Sequence, residues 1–186
     1  AWTNRAFPGQ AGIATDEQTE GWRAVADRVH EEGGTLFMQI MHGGRTSHPD
    51  LIDGANPEAP SAFDWGGTVR GFAGKMDAPV PRELKKEELP RIVDEFRQGA
   101  RRAIDAGVDG VEIHGANGYL LHEFMAPSAN KREDEFGGSP ENRWRLPEMV
   151  IRAVVEEIGA DRVGVRFSPA HNVQGVIEDD QEDMLA

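Results

Sequence analysis

The six residues His114, Gly115, Ala116, Asn117, Gly118 and Tyr119 contain three hydrogen-bonding side chains, with two glycines that let the backbone turn tightly. His114 and Asn117 can both donate to one oxygen, which is what stabilising a developing oxyanion requires. Tyr119 can supply a proton as a general acid. It is the only tyrosine in a chain with eight phenylalanines. A capped turn with an incidental histidine accounts for the same spacing. Two further polar residues stand where a purely structural strand has no use for them. Gln39 interrupts the apolar run 36–41 (LFMQIM), and Arg166 interrupts the run 163–167 (VGVRF). A buried amide or guanidinium is costly unless paired, so each needs either a local backbone partner or a ligand. Three such residues at three strand ends favour one shared ligand.

The elements that must position these residues are legible from periodicity. A first helix is predicted over 16–32, opened by Thr15 and Gln18 at capping-box spacing. It carries Trp22, Val25, Ala26 and Val29 on one face and is stopped by Gly33 and Gly34. The run 36–41 then reads as a strand buried on both faces, as in parallel sheets. A second helix is predicted over 86–106, with Leu89, Ile92, Val93, Phe96, Ala100 and Ile104 on one stripe, followed by a strand over 108–114. A third helix starts at Ser139 and Pro140, an N-cap followed by proline at the first helical position. It buries Leu146, Met149, Val150, Ala153, Val154 and Ile158 and ends at Gly159, before a strand over 163–167. Pro147 opposes the preceding helical turn and weakens the first two turns. Three successive helix–strand units imply parallel strands with right-handed crossovers. The segment 43–84 is rich in glycine and proline and lacks helical period. A connection of that length is usually functional or holds small hairpins of its own, and it lies on the side where α/β barrels bind ligands.

Bulk properties narrow the function. The 186 residues favour one domain, although a (β/α)8 barrel typically needs ~250 residues. With 20 Lys and Arg against 33 Asp and Glu, the net charge of −13 argues against nucleic acid, which clustered cations bind through counterion release. It argues equally against anionic membrane surfaces. The absence of cysteine excludes disulfides, thiolate zinc sites and cysteine nucleophiles within the chain, and is compatible with a reducing compartment. No apolar run approaches the ~18–20 residues needed to span a bilayer, and the first residues lack the pattern of a signal peptide. No metal site is expected, since His42, His48 and Asp50 share a loop without helical metal-ligand spacing. The lysines that a Schiff-base enzyme would need at a strand end fall elsewhere: Lys75, Lys85, Lys86 and Lys131 lie in loops or at a helix start. No glycine-rich dinucleotide or P-loop motif is present. The chain begins at Ala1 rather than Met and ends at Ala186 without a helix terminator, so both ends are expected to be cut.

The run from His114 to Asn130 (HGANGYLLHEFMAPSAN) and the next from Lys131 to Arg143 (KREDEFGGSPENR) resemble the signature of the Old Yellow Enzyme family of NADH:flavin oxidoreductases. The resemblance extends over Asp16 to Gln18, Gln39 to Pro49, Pro60 and Ser61, and Gly159 to Pro169, nearly the whole chain. It implies a partial (β/α)8 barrel of roughly three to four helix–strand units, residues 1–186 being part of one FMN-binding domain cut at both ends. It implies a cytoplasmic ene-reductase in which NAD(P)H reduces, through FMN, the activated C=C bond of an α,β-unsaturated carbonyl or nitro compound. By the same resemblance His114 and Asn117 bind the substrate oxygen, Tyr119 is the proton donor, and Gln39, Arg166 and His114 contact the flavin. Arg166 would lie near the N1/O2 edge, where a cation favours the anionic reduced flavin. The chain departs from the family at Met41, where relatives usually carry tryptophan, which alters the substrate pocket. The family's first strand, with a flavin-contacting threonine, would precede Ala1, and its last barrel units would follow Ala186. The alternatives are a catalytically incompetent half-barrel and a multi-cofactor relative such as a dienoyl-CoA reductase.

Overall fold

In the structure, a computed structural model that describes residues 4–169 and 172–177, three strands form one parallel sheet. β1 (Phe37–Ile40) and β7 (Val163–Arg166) flank β6 (Gly110–His114). Met38 and Ile40 stand beside Val111 and Ile113, and those beside Val163 and Val165. These six apolar residues share one face. It packs on the stripes of two long helices, α2 (Leu89–Asp105) and α4 (Pro140–Ile158), where Ile92, Phe96, Ala100, Leu146, Val150 and Val154 are buried. The other face carries Phe37, Gln39, Glu112, His114 and Arg166.

That second face is open. The apolar run 36–41 predicts a strand buried on both sides, but Phe37 is 55% exposed and Gln39 is exposed beside it. The physical reason is the sheet's extent: three described strands do not close into a barrel, so of the five side chains on this face only His114, at the end of β6, is buried.

The helices form where their local chemistry directs. α1 (Asp16–Glu31) has a complete capping box: Gln18 N–H donates to Thr15 Oγ1 at 3.2 Å, and Thr15 N–H to Gln18 Oε1 at 3.3 Å. The Trp22 indole N–H reaches back to the Gly12 carbonyl at 2.9 Å. The second predicted helix begins as a 3-10 turn (Lys86–Glu88) before α2 proper. α4 runs unbroken through Pro147, which is buried. A proline there costs one backbone hydrogen bond, and the buried stripe on both sides of it, with the Ser139 cap, outweighs that loss.

The segment 43–84 is an assembly of small pieces. It contains two 3-10 turns (Gly44–Thr46 and Pro49–Leu51) and an antiparallel hairpin of β3 (Thr68–Gly71) and β4 (Gly74–Asp77). β2 (Glu58–Ala59) and β5 (Arg82–Glu83) form a short parallel pair. The segment is tied to the body by Arg132, which is buried. Its guanidinium donates to the carbonyls of Pro60 at 3.2 Å and Leu84 at 2.5 Å. A short helix, α3 (Leu120–Met125), unpredicted by periodicity, is entirely buried and follows Tyr119 directly. The two chain ends, expected from the sequence to be cut, fall on residues outside the described ones.

Candidate functional site

The site is assembled at the C-terminal ends of the three strands. His114 ends β6 and stands in register beside Arg166, which ends β7. His114 is 4% exposed, and neither of its ring nitrogens has a hydrogen-bond partner among the described residues. Burial pushes its pKa down, and the Arg166 cation adds to that effect. The ring is therefore neutral near pH 7, with one donor nitrogen and one acceptor. An imidazole buried with both nitrogens unsatisfied is unusual enough to call for a ligand.

The chain beyond His114 turns sharply. Asn117 and Gly118 both adopt left-handed backbone conformations, with φ of 57° and 79°. Glycine is required at 118, because a Cβ there would lie 3.0 Å from the Val173 carbonyl oxygen. The Asn117 backbone is held on both sides: its N–H donates to Ser168 Oγ at 2.9 Å and its carbonyl accepts from Gln174 Nε2 at 3.0 Å. Its carboxamide makes no hydrogen bond to a described residue. The turn delivers Tyr119 to the N-terminus of α3, its ring 5.1 Å from that of His114 and tilted by 52°. Tyr119 faces a cleft of about 930 Å³ whose far wall is the β3–β4 hairpin, with Phe72, Arg70 and Lys75 on its lining.

Gln39 and Arg166 do not each find a local backbone partner. Both donate to one oxygen of Glu112: Gln39 Nε2 at 2.5 Å and Arg166 Nε at 3.0 Å. Glu112 escaped the sequence reading, yet its signal was there, since it lies two residues before His114 in a strand and so shares its face. Gln174, Ser168 and Arg45 were also missed. Arg45 donates from Nη2 to the Gln174 carbonyl at 3.1 Å and stacks on Trp65 at 4.9 Å, so it supports the turn that holds Asn117. No sequence period links residues 45, 117 and 174.

Two buried glutamates brace the floor. Glu123 accepts the Arg45 backbone N–H at 2.9 Å, and burial pushes its pKa up to about 8 against the opposing pull of Arg45. Gly44 makes room for it, since a Cβ there would fall 2.1 Å from the Glu123 carboxylate. Glu58 behaves oppositely. Burial favours its neutral form, but His42 and Arg91 outweigh that and hold it at about 2. His42 lies 3.4 Å from Glu58, and its carbonyl accepts the Leu120 N–H at 3.1 Å. His42 therefore belongs to this bracing, while His48 pairs with Asp50 at 3.2 Å.

Residues 2–183 match the NADH:flavin oxidoreductase / NADH oxidase family. The chain belongs to that family. Its flavin is FMN, and its structurally known relatives include Old Yellow Enzyme homologues. The chain is 48% identical over 168 residues to a putative 12-oxophytodienoate reductase-like protein 2A of Arabidopsis thaliana, covering 90% of this chain and 61% of that protein. It is 48% identical over 167 residues to 12-oxophytodienoate reductase 1 of Oryza sativa subsp. japonica, covering 90% and 43%. Among solved structures, the old yellow enzyme homologue from Zymomonas mobilis superposes with a TM-score of 0.96 at 39% identity, covering all of this chain and 52% of that one. Morphinone reductase in complex with tetrahydroNAD gives a TM-score of 0.94 at 41% identity, covering 99% and 53%. The chain thus spans about half the length of most of these relatives and folds as a partial α/β barrel.

The family's FMN fits what the strands offer. The open face presents an unsatisfied buried imidazole, an amide with free polar atoms and a guanidinium whose terminal nitrogens make no bond to a described residue.

Proposed function

We propose that this chain forms the substrate-side half of an FMN-dependent ene-reductase, which uses NAD(P)H to reduce activated C=C bonds of α,β-unsaturated carbonyl or nitro compounds. The observation that carries this reading is His114. It is neutral, buried and without a partner on either nitrogen among the described residues, at a strand end beside Arg166 and 5.1 Å from the ring of Tyr119. Gln39, Arg166 and His114 would hold the flavin. The chemistry a bound FMN supplies is hydride transfer from NAD(P)H to the β-carbon of the alkene.

The chain's own residues do the rest. His114 and the Asn117 carboxamide donate to the carbonyl or nitro oxygen and stabilise the negative charge that grows there. Asn117 is suited to this because its backbone is pinned from both sides while its side chain stays uncommitted. Tyr119 gives a proton to the α-carbon, completing the addition of two hydrogens across the double bond. Its cleft with the hairpin gives a small alkene a path to that hydroxyl.

The test uses the full-length protein that contains this chain. Purified protein is expected to be yellow, with bound FMN, and to oxidise NADPH or NADH in the presence of cyclohexenone or N-ethylmaleimide. A colourless and inactive protein overturns the reading.

The open sheet face favours a second reading for the 186 residues taken alone. With Phe37 exposed and no strand beyond β1 and β7 among the described residues, the isolated chain reads as a catalytically incompetent half-barrel. FMN titration decides between them: tight flavin binding by the isolated chain contradicts the half-barrel reading.

A further inference from the structure

We propose that Glu112 is a positioning residue that sets both the geometry and the charge of the flavin-facing edge, acting through Gln39 and Arg166. The proposal rests on the FMN reading above. Glu112 occupies the middle strand of the three, in register with Gln39 on β1 and with Gly164 on β7. The glycine leaves the place beside Glu112 without a side chain, and Arg166, one pleat further on, reaches back across it. One carboxylate oxygen receives both donors, at 2.5 and 3.0 Å.

The hydrogen-bond inventory shows what this arrangement leaves free. An ionised carboxylate only accepts, so it fixes the Gln39 amide with its NH2 end inward. The Gln39 carbonyl oxygen and one remaining N–H are then available to a ligand. Arg166 is anchored through Nε, which leaves its two terminal nitrogens as a planar fork. A single side chain thus orients a donor–acceptor pair and a cationic fork on neighbouring strands.

Charge is the second consequence. The Arg166 guanidinium, with the Gln39 amide, holds the Glu112 carboxyl below its usual range, so it is ionised at neutral pH. The Glu112–Arg166 pair is formally neutral, and the cation that faces the ligand is partly offset. Replacing Glu112 by glutamine keeps the shape but removes the negative charge. The edge becomes more positive and favours an electron-rich ring system more strongly.

Four variants of the full-length flavoprotein test this: E112Q, E112D, Gln39→Ala and the double variant that combines Gln39→Ala with E112Q. E112Q is expected to shift the two-electron midpoint potential of bound FMN to more positive values. It is also expected to weaken FMN binding about tenfold, the scale of one lost charge-assisted anchor. E112D keeps the charge but is too short to hold both partners, so it should bind FMN more weakly with a potential near the parent's. It also covers the case in which E112Q fails to fold. In a Gln39→Ala background the effect of E112Q on affinity should shrink, because part of its action runs through Gln39. Flavin fluorescence quenching reads the affinity and dye-equilibrium titration reads the potential. An E112Q protein that binds FMN with unchanged affinity and potential overturns the role of Glu112 while leaving the FMN reading intact. A parent protein that binds no FMN overturns both.

Discussion

At the scale of the residue, the site combines groups held tightly with groups left uncommitted. Asn117 and Tyr119 show this best: the backbone of one is bracketed by Ser168 and Gln174, and the other packs its ring against His114 while lining a cleft. If Tyr119 delivers the proton, Tyr119→Phe slows reoxidation of the reduced protein by an enone about 10²–10⁴-fold, the usual worth of a general acid. Reduction by NADPH, which needs no such proton, keeps its rate. Stopped-flow measurement of the two half-reactions separates these, and equal losses would refute the assignment. Glu123 supplies a pH prediction. Its folded pKa of about 8 lies above the ordinary 4.5. A carboxyl raised in this way adds stability that is fully present below about pH 4.5 and is lost as pH rises through about 8. Glu123→Gln should therefore gain melting temperature relative to the parent at pH 8–9, with the advantage fading toward pH 4.5. Thermal melts across that range check it, and a pH-independent difference would remove the buried-acid explanation.

At the scale of the element, caps and apolar stripes explain the long helices, and single buried side chains explain the segment 43–84. Thr15 and Gln18 satisfy each other's backbone at the start of α1, and the helix begins where their spacing predicts. Thr15→Ala should cost about 1 kcal/mol, the usual worth of an N-cap, measurable by urea denaturation. Arg132 matters more to the site, since its guanidinium holds the carbonyls of both Pro60 and Leu84, near the two ends of the β2–β5 region. Arg132→Met leaves both carbonyls buried without a donor, at about 1–3 kcal/mol each. The expected result is faster proteolysis within 43–84 while α2 and α4 stay protected, which limited digestion with mass spectrometry would read. Uniform loss of protection would mean that Arg132 supports the whole fold instead. The short helix α3 shows why some elements hide from sequence. Six residues give less than two turns, Tyr119 makes no side-chain cap, and the helix is buried on every side, so no amphipathic period exists to be seen.

At the scale of the whole molecule, the decisive property is the sheet with one covered face. Helices α2 and α4 dry one side, while Phe37, Gln39, Glu112 and Arg166 stand on the other, and the outer edges of β1 and β7 pair with no strand among the described residues. Such edges and apolar surface invite association. The isolated 186-residue chain should self-associate with rising concentration in sedimentation velocity, and a chain extended to close the barrel should not. A strictly monomeric isolated chain at high concentration would contradict this.

Where periodicity and spacing operate over short distances, the sequence alone determined the outcome. It specified α1, α2 and α4, the three strands and their parallel direction, and the turn that presents His114, Asn117 and Tyr119, because caps, stripes and glycines act within a few residues. The strand-end positions of Gln39 and Arg166 were equally legible. Only the tertiary structure decided what those two side chains hold, since Glu112 lies 73 and 54 residues away from them and meets them only through strand register. It alone showed Arg45 and Gln174 beneath Asn117, and one sheet face dry while the other is open. Contacts between distant residues follow from how the strands and helices pack, and packing leaves no period in the chain.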